Sequence, residues 1–179
     1  DILTFSVADI ADATVSVDGN ILTIDPDDNY NGSLSITVSV SDGLESASTS
    51  FDVTVNPVND APVLSEIGVQ AIDEDTSLSL TLSADDIDAG DVLTYSAGVT
   101  GNAEVNVVDS QLIVDPDDNF NGPIEVTVVV SDGELSDSET FILTVNPVND
   151  PPSIDSVVTQ EMDEDTILEV PLFGDDIDV

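Results

Sequence analysis

The sequence aligns with itself, without an insertion, when it is shifted by 90 positions. VNPVND at 55–60 returns unchanged at 145–150, and DEDT at 73–76 returns at 163–166. A fixed period of this kind is typical of tandem modules that each form one structural unit. The same shift relates DPDDNYNG at 25–32 to DPDDNFNG at 115–122, and DDID at 85–88 to DDID at 175–178.

The apolar residues have a period of two. In SLSITVSV, residues 33–40, every second residue is aliphatic and those between are serine or threonine, and the copy at 123–130 keeps the aliphatic positions. This alternation predicts strands with one buried face and one wet face. We therefore expect an all-β fold of tandem seven-strand Greek-key β-sandwiches, arranged end to end, with immunoglobulin-like architecture. The strands of one module are expected near 63–70, 77–83, 92–97, 103–108, 111–114, 124–131 and 138–146.

The register of the repeat sets the module boundaries. Residues 61–150 form one complete module, 1–60 carry the last five strands of a preceding module, and 151–179 carry the first two of the next. One hypothesis is that the two flanks pair between molecules, since together they hold the strands of one module. Because the sequence begins at Asp1 and not at Met, we expect it to be part of a longer protein.

The charge restricts the partners. The 179 residues include 39 acidic side chains and no lysine, arginine or histidine, for a net charge of −39. Self-repulsion favours disorder, but 40% of the residues are hydrophobic and patterned, which favours a folded chain. Nucleic acid is excluded as a partner because nothing can neutralise its phosphates, and no apolar stretch is long enough for membrane insertion.

Each carboxylate must be solvated, accept backbone hydrogen bonds or bind a metal. There is no cysteine, so neither disulfides nor thiolate zinc sites can form. Calcium takes six to eight oxygen ligands, the groups that this chain has in excess, and we expect Ca²⁺ as the bound ion. EF-hand spacing fails, because Ala97 and Val126 stand where a bidentate glutamate is needed after Asp86 and Asp115. An acidic surface also suits a high-salt environment, which would explain some of the remaining charge.

The motifs, taken in order, resemble bacterial cadherin-like tandem repeats of large surface or secreted adhesins. VNPVNDAP is similar to the cadherin inter-domain linker, DEDT to the acidic motif before the second strand, and DDID to the motif before the third. The resemblance implies calcium sites at the junctions, shared by neighbouring modules. Matched motif by motif, it implies Asp27, Asn29, Asn59, Asp60, Asp86, Asp88 and Asp132 at the first junction, and Glu74, Asp117, Asn119, Asn149, Asp150, Asp176 and Asp178 at the second.

The function predicted from these observations is a calcium-binding spacer, or stalk, of an extracellular bacterial adhesin. The alternative is a module that binds carbohydrate or mediates homophilic cell adhesion; Tyr30, Tyr95 and Phe120 beside the acidic loops would contact a sugar or else pack at the core edge. We do not expect an enzyme, because serine nucleophiles lack a histidine or lysine base and each acidic cluster recurs in the next repeat. The predicted partners are calcium, neighbouring repeats, and a cell-surface glycan or another adhesin copy.

Overall fold

The computed structural model describes residues 2–178, and every regular element in that range is a β-strand. The all-β prediction is therefore confirmed. No helix in these residues is long and apolar enough to cross a membrane. The chain divides into two compact units, one with the residues up to Asp60 and Ile87–Ala89, the other with Ala61–Asp86 and the residues from Gly90 onward.

The first unit contains five strands in two sheets. A three-stranded sheet has the order β1-β4-β5, and β2 and β3 form a hairpin. Leu34 and Ile36 of β4 are buried against Ala13 of β2, and Tyr30 packs at the edge of this core. The strands are β1 (Thr4–Val7), β2 (Ala13–Asp18), β3 (Ile21–Pro26), β4 (Gly32–Ser41) and β5 (Ser46–Val55).

The second unit contains a complete sandwich. One sheet has the order β10-β13-β14-β7, the other has the order β11-β12-β8, and β6 pairs with β9 at the margin. Two further short strands, β15 and β16, pair with each other. The strands are β6 (Val63–Leu64), β7 (Gln70–Asp73), β8 (Leu78–Thr81), β9 (Ala84–Asp85), β10 (Thr94–Val99), β11 (Ala103–Val108), β12 (Gln111–Pro116), β13 (Gly122–Ser131), β14 (Ser136–Asn146), β15 (Ser153–Ile154) and β16 (Gly174–Asp175).

The core of this sandwich follows the alternation in the sequence. Every second residue of β13 from Ile124 to Val130 is buried, as is every second residue of β14 from Phe141 to Val145. Leu112 and Val114 of β12 contribute from the facing sheet. Tyr95 and Phe120 pack against the same core, so the core-edge interpretation of these two rings is the one that the structure supports.

The strand expected over 63–70 forms only at its two ends, which corrects the predicted boundaries: β6 ends at Leu64, and β7 begins at Gln70 and continues to Asp73. Val63 and Leu64 (β6) pair with β9, whereas β7 pairs in parallel with β14 in the other sheet. Between them the chain crosses from one sheet to the other, and Gly68 has a φ of 67°, in the left-handed region that glycine adopts readily. A period of two shows which face of a segment is buried but not which strand it pairs with, so the crossover was not predictable from the alternation.

Two strands are expected within 151–179, and Leu168, Val170 and Leu172 repeat the alternation of β8, but these residues have no strand pairing in the structure. Their counterpart β8 is held by backbone pairing to β12, with Leu80 opposite Leu112. Among the described residues, none pairs with 168–172 as β12 pairs with β8. Alternation alone therefore does not make a strand where the hydrogen-bonding partner is missing.

Two neighbouring residues of β14 test this packing. Leu143 is fully buried and Ile142 is 41% exposed. We expect Leu143→Ala to lower the free energy of unfolding by about 2–5 kcal/mol, since it leaves a cavity in the core, and Ile142→Ala to lower it by less than about 1 kcal/mol. Urea denaturation of the full chain, followed by circular dichroism, measures both. Equal decreases in the free energy of unfolding for the two variants would contradict the assignment of Leu143 to the buried face of β14.

Candidate metal centre

The octets DPDDNYNG and DPDDNFNG form the same tight turn in both units. The Tyr30 amide donates to the Asp27 carbonyl at 3.1 Å, and the Phe120 amide donates to the Asp117 carbonyl at 3.0 Å. Asn29 and Asn119 adopt left-handed φ values of 59° and 56°, which asparagine tolerates better than most residues. Each octet therefore forms the turn between two strands, β3 and β4 in the first unit and β12 and β13 in the second.

Glu74 is a buried acid at the end of β7. It is only 4% exposed, and its amide donates to the Asn146 carbonyl at 2.9 Å, which extends the pairing of β7 with β14. Its Oε1 accepts a bond from the Val148 amide at 2.5 Å, and its Oε2 accepts one from Asn121 Nδ2 at 3.4 Å. Parallel pairing to β14 thus places this carboxylate against the start of the linker that follows β14.

Asp75 ties the DEDT turn to the second octet. Its Oδ1 accepts a hydrogen bond from the Asn119 amide at 2.9 Å. Asp75 was not among the predicted site residues, although it stands next to Glu74 within the quoted motif. The signal was present in the sequence, but nothing in the spacing distinguished this acid from its neighbours.

The linker binds the acids of the second DDID motif. The Asp150 amide donates to Asp178 Oδ2 at 2.6 Å, and the Asp178 amide donates to Asp176 Oδ1 at 3.1 Å. Asn149 Nδ2 donates to the Asp150 carbonyl at 2.7 Å. These bonds bring an acid of the segment after β14 next to the linker and keep both carboxylates at one place.

Three carboxylates, which we call the Glu74 cluster, converge here: Glu74, Asp150 and Asp178. One oxygen of each lies within 4.8 Å of the others. Calcium binds oxygen at 2.3–2.6 Å, so two ligands of one ion are at most about 5.2 Å apart, and the separations in the cluster fit a shared ion. Burial raises the pKa of Asp150, and the charges of Asp178, Asp75, Glu74 and Asp176 raise it further.

Further oxygen donors surround the cluster. A cleft of about 540 Å³ is lined by Asn119, Asp150 and Asp176, among others. Asp117 is exposed at the turn and fixes it through its backbone. Of the seven residues predicted for the second junction, the structure therefore brings together Glu74, Asp150 and Asp178, with Asn119 and Asp176 beside Asp150 and with Asn149 bonded to its carbonyl.

The first unit repeats the linker bonds. The Asp60 amide donates to Asp88 Oδ2 at 2.7 Å, and Asn59 Nδ2 donates to the Asp60 carbonyl at 3.1 Å. A cavity of about 230 Å³ is lined by Asn29, Asp60 and Asp88, among others. Asp27 is exposed at the octet turn. The arrangement of linker and acid is thus the same in both copies.

The remaining two predicted residues belong to the second unit. Asp86 is half-buried directly after β9. Asp132 Oδ1 accepts bonds from the amides of Glu134 and Leu135, both at 2.7 Å, and so caps the turn between β13 and β14. The capping role of this acid was not predicted from the sequence.

The counterpart of Asp132 in the first unit shows the electrostatic effect of such a cap. Asp42 Oδ1 accepts bonds from the amides of Glu45 and Leu44 at 2.8 and 2.9 Å. Hydrogen bonds from these amides lower the pKa of Asp42, because they stabilise its charged form.

Comparison with known proteins agrees with this architecture. Residues 59–145 match the family model of a bacterial Ig domain. Chitinase A of Pseudoalteromonas piscicida is 31% identical over 115 residues, and the matched segment is 63% of this chain but only 14% of that enzyme.

Cadherins share the fold. Human protocadherin-24 EC1-2 matches with a TM-score of 0.58 and 17% identity, over 83% of each chain. Drosophila N-cadherin EC1-4 matches with a TM-score of 0.53 and 17% identity, over 86% of this chain and 44% of that one. The complete sandwich thus matches a bacterial Ig domain model and has a cadherin-like fold, and the resemblance predicted from the motifs is confirmed.

The raised pKa of Asp150 gives a pH dependence whose sign can be worked out. The folded state holds the Asp150 proton more tightly than the unfolded state, so stability falls as pH rises from the ordinary value of 3.8. In EDTA at pH 7 we expect Asp150→Asn to raise the melting temperature, because it removes repulsion. At pH 3 this gain should nearly vanish.

The control is Asp118→Asn, which removes the same charge from an exposed position in the second octet. Thermal unfolding by circular dichroism compares the two variants at both pH values. If they raise the melting temperature equally at pH 7, the repulsion is not localised at Asp150.

Proposed function

We propose that this chain is a calcium-binding spacer of an extracellular bacterial adhesin, stiffened by calcium held by residues from consecutive repeats. The observation that carries the proposal is the Glu74 cluster, in which the buried Glu74 of the complete sandwich meets Asp150 of the linker motif and Asp178 of the second DDID motif. No lysine, arginine or histidine exists in the chain to neutralise them.

The mechanism is electrostatic. Without a cation, gathering three carboxylates costs repulsion and desolvation. Calcium would supply the positive charge that holds the carboxylates together when bound. Glu74, Asp150 and Asp178 would hold it, with Asn119, Asn149, Asp117 and Asp176 as the nearby predicted donors. Asn59, Asp60 and Asp88 are proposed to hold an ion in the same way at the copy of the linker.

Fold and composition support an extracellular, non-enzymatic role. Bacterial Ig domains and cadherin-like domains are typically extracellular modules of adhesion or spacing. The fold alone does not define a function, and the proposal therefore depends on the carboxylate geometry. Its partners would be calcium and the neighbouring repeats of the same protein.

A second candidate is an accessory module of a carbohydrate-active enzyme. The observation that favours it is the 31% identity to part of a chitinase. Sedimentation with chitin tests it directly: retention of the full chain on chitin, abolished by soluble chitin oligosaccharides, would support binding. A chain that stays in the supernatant would leave the spacer as the better account.

Calcium should stabilise the folded chain. At 10 mM it would stand roughly 10 to 100 times above a dissociation constant typical of extracellular modules, which corresponds to about 1.4–2.7 kcal/mol. We expect a higher melting temperature in calcium than in EDTA, together with a larger hydrodynamic radius. We expect Glu74→Gln to weaken calcium binding by at least about tenfold, the factor for 1.4 kcal/mol, measured by calorimetry.

The control for this variant is Glu125→Gln, because Glu125 lies on the exposed face of β13. In Glu74→Gln the new side-chain amide retains an oxygen for the Val148 amide, so the fold in EDTA should persist, and circular dichroism checks that it does. If Glu74→Gln binds calcium with the affinity of the wild type, the Glu74 cluster is not the calcium site.

A further inference from the structure

Two acids occupy the core-facing row of β14. Asp137 and Glu139 continue the alternation that contains Phe141, Leu143 and Val145, and both are half-buried whereas Ser136, Ser138 and Thr140 are exposed. Acids on an inward-facing row require hydrogen-bond donors. The chain has no basic side chain to provide them.

The donors are backbone amides of the crossover between β6 and β7. The Leu64 amide donates to Asp137 Oδ2 at 2.9 Å, and the Ile67 amide donates to Glu139 Oε2 at 3.0 Å. Between them, the Ser65 amide donates to the Ser83 carbonyl, which extends the pairing of β6 with β9 by one residue. The two carboxylates thus accept hydrogen bonds from the Leu64 and Ile67 amides, which do not pair with the backbone of β14.

These contacts continue the register of the parallel pairing. Leu64 and Asp137 are 73 positions apart, Ile67 and Glu139 are 72 apart, and Gln70 lies opposite Leu143, again 73 apart. Beyond β7, the Val148 amide meets Glu74, 74 positions away. The seam, meaning the contacts of residues 64–74 with β14 and Val148, therefore follows β14 from Asp137 to Asn146, roughly 30 Å at 3.3 Å per residue. Its backbone pairing is confined to β7, and the two carboxylates provide the contacts before it.

The two ends of the seam lie next to the two ends of the module. Residue 61 leads into the seam at Leu64, and residue 150 leaves it just after Val148. Because the two segments run in parallel, a pull on residues 61 and 150 moves them in opposite directions along the seam. All of its hydrogen bonds are then strained together, in shear, and not one after another.

We propose that Asp137 and Glu139 extend the force-resisting parallel pairing of β7 with β14 across the crossover of this module. The inference rests on the proposed spacer role, in which tension passes from repeat to repeat. The positions 90 residues earlier hold Ala47 and Thr49, so the two carboxylates are a property of this module and not of the repeat.

The test is single-molecule pulling of the full chain in two directions. The protein has no cysteine, so introduced pairs give unique attachment points. Ala61→Cys with Pro152→Cys loads the seam in shear, whereas Ala61→Cys with Glu134→Cys pulls both segments from the same end and opens it bond by bond. We expect the higher unfolding force in shear. Equal forces in the two directions would overturn the proposal without any change to the seam.

A pair of variants tests the two carboxylates. We expect Asp137→Ala with Glu139→Ala to speed unfolding at constant shear force by roughly tenfold, the factor for 1.4 kcal/mol, since the Leu64 and Ile67 amides lose charged acceptors. Glu125→Ala, which removes an exposed acid from β13, should leave the rate unchanged. Equal rates for the double variant and wild type would contradict the role of the carboxylates.

Measurements in EDTA and in calcium separate this proposal from the metal site. A shear advantage that persists in EDTA, with no calcium binding by calorimetry, would support the seam and contradict the proposed function. Calcium binding with equal forces in the two directions would contradict the seam and leave the metal site standing.

Discussion

The absence of any basic side chain is the constraint on which the rest of the structure depends. With 39 acids and no lysine, arginine or histidine, no side chain can neutralise a carboxylate that folding brings out of water. Backbone amides, side-chain amides, hydroxyl groups and metal ions are the donors and cations that remain. The half-buried Asp132, Asp137 and Glu139 lie where backbone amides donate to them.

Carboxylates have three roles under this constraint, and in the first two they accept hydrogen bonds from backbone amides. Asp42 and Asp132 cap hairpin turns with two amides each. Asp137 and Glu139 accept hydrogen bonds from amides of the segment that crosses between β6 and β7. The third role differs, because the backbone donors are too few for the charge. Asp150 carries a pKa raised by burial and by surrounding acids, and the Glu74 cluster gathers three carboxylates within 4.8 Å. This excess of negative charge is the physical reason to propose a divalent cation at the Glu74 cluster.

The sequence was sufficient to predict the sandwich and much of the candidate site. The alternation in β13 and β14 predicted the buried rows. The resemblance to cadherin-like repeats implied Glu74, Asp150 and Asp178 at one junction, and their carboxylates lie close together in the structure. It was insufficient where a choice of partner decides the structure. The break between β6 and β7 depends on which strand each segment pairs with. The acids at 137 and 139 ended the apolar pattern, but the sequence did not show which amides donate hydrogen bonds to them.

The measurement that tests the central claim most directly is a crystal structure of the full chain grown in calcium, with anomalous scattering recorded to identify the ion. The account predicts an anomalous peak bounded by Glu74, Asp150 and Asp178, with oxygens at about 2.3–2.6 Å. Carboxylates of these three residues turned apart into water, with no peak among them at saturating calcium, would contradict it.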